Sequence, residues 1–177
     1  MTVRIKHQVA GLLGTSSIAL GILVPGGPVE TRSFSHMSPL TLGVFNTFLT
    51  TLVLGSLLSI YFVLRSKRWA IIAAAIFGLS YLGVYGLDLV EIFPVSPDGM
   101  PSALWVIEVF GTLLSLPLIV LSVQALQALD QPLPANAPLS ASNPAAIART
   151  PQMVAAMVLG MVALGIITFA TKSAMGV

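Results

Sequence analysis

The sequence predicts an all-α integral membrane protein, a bundle of about five transmembrane helices. Three observations lead there. Of 177 residues, 56% are hydrophobic and only 8% are charged, against roughly 25% charged in soluble domains, and the mean hydropathy is +0.97. Apolar runs of about 20 residues, enough to cross a hydrocarbon core of roughly 30 Å, recur five times along the chain. Those runs lack the alternation of barrel strands, and a backbone in lipid must satisfy its amides within the segment, so each run reads as a helix.

The first run, Gln8 to Val24, follows the basic stretch "MTVRIKH". It resembles a secretory signal, but it exceeds the usual h-region of roughly 7–15 residues and no A-x-A site precedes Pro25. It is therefore expected to stay as a helix; cleavage would leave four spans. "PGGP" at 25–28 closes it. The second run, Leu40 to Leu64, stops at the charged "RSKR", and the third, Trp69 to Phe93, stops at "FPVSPDGMP". The fourth is Ala103 to Val123. Beyond it Pro132, Pro134, Pro138, Pro144 and Pro151 lie among Ala, Ser and Asn, a composition that favours extended, solvated backbone. The fifth run is Met153 to Ala170. The expected organisation is a four-helix transmembrane bundle at 1–129, a Pro-rich cytoplasmic linker at 130–152, and a fifth transmembrane helix with a short tail at 153–177.

Lys and Arg set the expected orientation. With the N-terminus inside, Arg4, Lys6, Arg65, Lys67, Arg68 and Arg149 fall on the inner side, and only Arg32 and Lys172 fall outside. An odd number of crossings then puts the C-terminus outside. Trp69 and Trp105 sit where interfacial anchors belong. Stripes of small residues mark expected helix contacts: Gly14, Ser17 and Gly21 on the first helix, Gly43, Thr47, Thr50 and Thr51 on the second, and Ala156, Gly160 and Ala163 on the fifth. The expected location is a bilayer, taken as a prokaryotic cell inner membrane.

Several function classes drop out. Cysteine is absent, which removes disulfides, thiolate catalysis and iron–sulfur ligation. The formal charge of +2 is spread along the chain and forms no nucleic-acid footprint. No P-loop, Rossmann, G-x-S-x-G or H-E-x-x-H pattern occurs, so no enzyme family and no catalytic residue is supported. His36 lies near Glu30 and Arg32 without a spacing that compels zinc, and His7 and His36 fall a membrane apart, which disfavours haem. No metal or cofactor is expected.

The chemistry that remains is acidic. Of six carboxylates in the chain, Asp88, Glu91, Asp98 and Glu108 fall within residues 86–111. Asp98 suits its Pro-Asp-Gly turn for backbone reasons. Asp88 and Glu91, three apart, share a helix face with Tyr81 and Tyr85. Glu108 lies roughly 7–8 Å into the fourth helix, where a bare carboxylate is costly. It shares a side with Gly111, Thr112, Ser115 and Ser122, so it is expected to face the bundle, with a bend at Pro117 opening space below it. The expectation is a polar crevice between the third and fourth helices, rimmed by Asp88 and Glu91. Its floor is Glu108, partnered by Tyr81, Tyr85, Thr112 or Ser115. Two functions follow. The first is an accessory or assembly component that packs in the lipid bilayer with other membrane subunits or with copies of itself. The alternative is a small proton- or cation-linked carrier that uses the intramembrane carboxylate.

Overall fold

The computed structural model describes residues 3–25, 29–130 and 163–175. All regular structure among them is helical: α1 (Val3–Ile22), α2 (Pro39–Leu64), α3 (Arg68–Leu89) and α4 (Ser102–Asp130), followed by the shorter α5 (Ala163–Ala174). Helices α2, α3 and α4 are long and apolar enough to cross a membrane. Of the five expected crossings, these three have the span to do so. Helix α1 has 20 residues, but Arg4 and Lys6 in its opening turns leave a shorter apolar stretch. The described part of α5 falls short of a full span. Most of the Pro-rich linker, the start of the fifth apolar run, and Ala156 and Gly160 of its stripe lie outside the described residues.

Local chemistry explains the boundaries. Ser38 caps α2, its Oγ accepting from the Thr41 amide at 3.1 Å, and Pro39 supplies a preset φ at the first turn. The turn into α3 passes through Ser66 at φ 53. Helix α3 ends at Leu89, before the expected Phe93, because Glu91 adopts φ 54 and the amides of Ile92 and Phe93 fold back onto the Leu87 carbonyl at 3.0 and 3.3 Å. Helix α4 runs on to Asp130, whose carboxylate meets Arg68 at 2.8 Å on the surface. It continues through Pro117, which leaves the Leu113 carbonyl without its usual donor.

Helices α1 to α4 form an up-down-up-down ring in which each packs on its sequence neighbour and α1 closes onto α4. The α3–α4 contact is the most extensive, and glycine makes it close. A methyl at Gly111 would lie 2.4 Å from the Tyr85 ring, and one at Gly78 would lie 2.8 Å from Ile119 Cγ1. The Tyr81 hydroxyl ties three helices, donating to Ser56 Oγ at 3.0 Å and lying 3.2 Å from Ser17 Oγ. The small-residue stripes are used in part. Ser17 and Thr50 are buried, whereas Gly21, Thr47 and Thr51 are exposed. Thr47 and Thr51 bond the carbonyls four residues back on their own helix. The described part of α5 reaches α2 and the 29–38 loop. The Asn46 side-chain amide donates to Thr171 Oγ1 at 3.2 Å, and the Phe34 amide donates to the Ala174 carbonyl at 2.9 Å.

Candidate functional site

The connections at 23–38 and 90–101 share one end of the bundle, and the site lies just beneath them. The loop after α1 folds inward and carries Glu30 and Arg32 to burial, at 4% and 6% exposure. The Arg32 guanidinium grips two carboxylates at once. Its Nη1 and Nη2 donate to Asp88 Oδ1 and Oδ2 at 2.9 and 2.8 Å, and its Nε and Nη2 donate to Glu30 Oε1 and Oε2 at 3.0 and 2.6 Å. The Arg32 amide also donates to Glu30 Oε1 at 3.0 Å. Planar forks of this kind suit Arg and no other side chain. Burial by itself would lower the Arg32 pKa, but the hydrogen bonds and charges of Asp88 and Glu30 outweigh it and hold the group above its ordinary value. Phe34 supports the cation from its ring face, 5.4 Å from centroid to Cζ. The two loops are stitched together by Asp98, which accepts from the Ser33 amide at 2.8 Å, and by Ser96, which donates to the Ser33 carbonyl.

Beneath this ion network lies Glu108, 1% exposed on the inner face of α4. Its carboxyl and that of Asp88 line the same small cavity. The Glu108 Oε2 and the Tyr85 hydroxyl find no hydrogen-bond partner among the described residues. Both residues line a small cavity of about 40 Å³, together with Glu30, Asp88, Asn46 and a mostly apolar wall. One water needs roughly 10–15 Å³ by the same kind of measure, so the space suits a small hydrated group. A larger apolar hollow of about 420 Å³ adjoins it between α1, α2 and α5. Leu20, Leu23, Pro25, Asn46 and Leu49 line both spaces.

The residues singled out from the sequence separate into those that meet here and those that do not. Asp88, Glu108 and Tyr85 come together. Tyr81 stacks on Tyr85 with ring centroids 6.2 Å apart, but its hydroxyl serves Ser56 and Ser17 rather than Glu108. Thr112 and Ser115 donate to main-chain carbonyls, Glu108 O at 2.8 Å and Thr112 O at 2.6 Å, and leave the Glu108 carboxyl alone. Glu91 is not on the rim with Asp88: its left-handed backbone past the end of α3 puts it at the exposed surface. His36 is exposed, and no group of three His, Cys, Asp or Glu side chains is arranged to hold a metal ion among the described residues. Sequence reasoning missed Arg32, Glu30 and Asn46 as site residues. The usable signal was charge: Arg32, one of two basic residues expected on the acidic side, is separated from Glu30 by a single residue in "ETR".

A family model described as a domain of unknown function (DUF8051) matches residues 5–138, and the chain belongs to that family. No curated protein and no solved structure matches it.

Proposed function

We propose that this DUF8051 member is a small proton-linked carrier of the membrane, built on the Glu108–Asp88 carboxyl pair. The observation that carries the reading is the buried Glu108 carboxyl, which lines one small cavity with Asp88 and Glu30 and has an oxygen without a partner among the described residues. Three carboxyl groups, Glu30, Asp88 and Glu108, surround one guanidinium. With a proton on the pair the cluster carries one net negative charge; without it, two. In a low-dielectric interior that difference is large, so loss of the proton and arrival of a cation favour each other. Protein groups that face Glu108 shape this exchange: Asp88 and Tyr85 from α3, and Arg32 and Glu30 from the loop. Arg32 anchors Asp88 with both of its oxygens, which leaves Glu108 as the member of the pair able to release its proton without dismantling the fork. An accessory or assembly role, the first expectation from the sequence, draws less support, because these polar groups engage partners within the chain's own bundle.

Infrared difference spectroscopy tests the reading. The wild-type protein in lipid should show a protonated-carboxyl stretch that disappears reversibly as pH is raised while the helices remain intact. Glu108→Gln should lack that band and keep the fold. A carboxyl band that changes only on unfolding, or one unaffected by Glu108→Gln, would overturn it.

A further inference from the structure

We propose that the substrate of this site is a lipophilic amine, a molecule with one protonated amino group and a slim apolar body, which enters from the bilayer. The proposal rests on the carrier reading above and gives it a substrate class. Its basis is the junction of two unlike spaces. The apolar hollow of about 420 Å³ lies within the range of roughly 300–1,000 Å³ typical of small-molecule sites. Leu20, Leu23, Leu49, Ile166 and Phe169 wall it, and such a wall offers nothing to a polar solute. Asn46 interrupts that wall and also lines the small cavity that the carboxyls share. There the buried groups include two without partners among the described residues, Glu108 Oε2 and the Tyr85 hydroxyl. An alkyl amine matches both parts. Its chain replaces lipid in the hollow, and its ammonium, small enough for a space of about 40 Å³, donates to Glu108 Oε2, with Tyr85 Oη and Asn46 Oδ1 available for its remaining hydrogens.

Charge selects among amphiphiles of the same shape. A fatty acid would bring a fourth carboxylate to Glu30, Asp88 and Glu108, and an alcohol would leave the deprotonated pair uncompensated. Only the ammonium neutralises the charge left when the Glu108 proton departs to water. The exchange balances: one ammonium enters, one proton leaves, and no covalent bond changes.

Equilibrium binding of radiolabelled decylamine to the full-length protein in nanodiscs, with empty nanodiscs subtracted, tests the proposal. Decanol and decanoate serve as matched controls. The expected result is saturable binding of decylamine alone, with one proton released per amine in weakly buffered solution. Glu108→Gln should weaken that binding by at least about tenfold, the loss anticipated when one member of a buried charge pair is removed. Val53→Trp, at a position that lines the hollow but not the carboxyl cavity, should weaken it as well, and it keeps the test decisive if the Gln variant folds poorly. Glu91→Gln, at the exposed surface, should bind as wild type does. Equal uptake of decylamine and decanol, unaffected by Glu108→Gln, would overturn the proposal and mark the hollow as a lipid-tail groove. Absence of saturable amine binding would overturn it too; if the infrared carboxyl band still titrates, only the substrate class falls and the carrier reading stands.

Discussion

Removing the Arg32 guanidinium puts the ion network to its severest test. Arg32→Leu deletes the five hydrogen-bond donations the residue makes from side chain and position combined only in part: the amide to Glu30 stays, while the four guanidinium bonds to Glu30 and Asp88 go. What is left is a pair of carboxylates, on side chains 5% and 11% exposed, with no cation between them. Breaking a buried pair by removing one partner costs roughly 3–5 kcal/mol, because the surviving charge is left uncompensated. Here two charges survive, so the upper part of that range is expected. Arg32→Lys should fall between wild type and Leu, since an ammonium keeps the charge but cannot present two planar forks. The assay is reversible unfolding in mixed micelles with a denaturing detergent, followed by helical circular dichroism. A double-mutant cycle separates the pair from its surroundings: Arg32→Leu with Asp88→Leu should cost clearly less than the two single changes summed. A loss below about 1 kcal/mol for Arg32→Leu, the level of an exposed ion pair, would refute the buried network and with it the anchoring of Asp88.

Four further outcomes follow from the same geometry. Gly111→Ala, whose new methyl would sit 2.4 Å from the Tyr85 ring, should destabilise by about 1–3 kcal/mol through overpacking; Gly78→Ala meets the movable Ile119 side chain and should cost less in the same unfolding assay. Tyr81→Phe takes from Ser56 the donor that ties it to α3, while Ser17 keeps its bond to the Leu13 carbonyl, and should cost about 1–3 kcal/mol, whereas Tyr85→Phe removes a hydroxyl with no partner among the described residues and should be near neutral for stability. Because the Arg32 pKa is raised in the fold, its contribution is fully present below its unfolded value and is lost only as pH climbs through the higher folded one. Thermal stability measured from neutral to moderately alkaline pH should therefore show no loss attributable to Arg32. Finally, a topology reporter placed near Asn136 should be active on the cytoplasmic side and one placed in the 29–38 loop on the opposite side.

The apolar runs were legible because a bilayer imposes one length and one composition on whatever crosses it, so α2, α3 and α4 could be read to within a residue or two at most of their ends. Two boundaries were misread: α4 runs to Asp130, past the expected Val123, because Gln124 to Asp130 lower the hydropathy yet are good helix formers such as Ala, Leu and Gln, and α3 stops early through a local backbone choice that hydropathy does not register. Glu91 takes a left-handed turn that stops α3 at Leu89, although Val90, Ile92 and Phe93 continue the apolar pattern. The inward side of α4 was legible from helical phase: Glu108, Gly111, Ser115 and Ser122 are all buried, as their shared face required. Phase also brought Asp88 and Tyr85 to the interior.

Partner identity was not legible in the same way, because it depends on long-range geometry. A hydroxyl on the right face can bond its own helix, as Thr112 and Ser115 do, or another helix, as Tyr81 does; helical phase treats these alike. The Glu30–Arg32 loop is the more instructive case. By composition it belongs to water, and the sequence reading left it there. The physical reason it is buried lies elsewhere in the chain, in Asp88: a carboxylate at the end of an apolar helix is costly alone, and a fork from Arg32 offsets that cost only if Glu30 completes the neutralisation from the same loop. Once that loop is drawn in, Glu30 joins Asp88 and Glu108 around one small cavity. The stability of the network and the chemistry of the site thus have a common origin, so Arg32→Leu should not merely loosen the fold. It should also free both Asp88 oxygens from their anchor, and the carboxylate stretching bands should register the lost fork in whatever fraction of the variant remains folded.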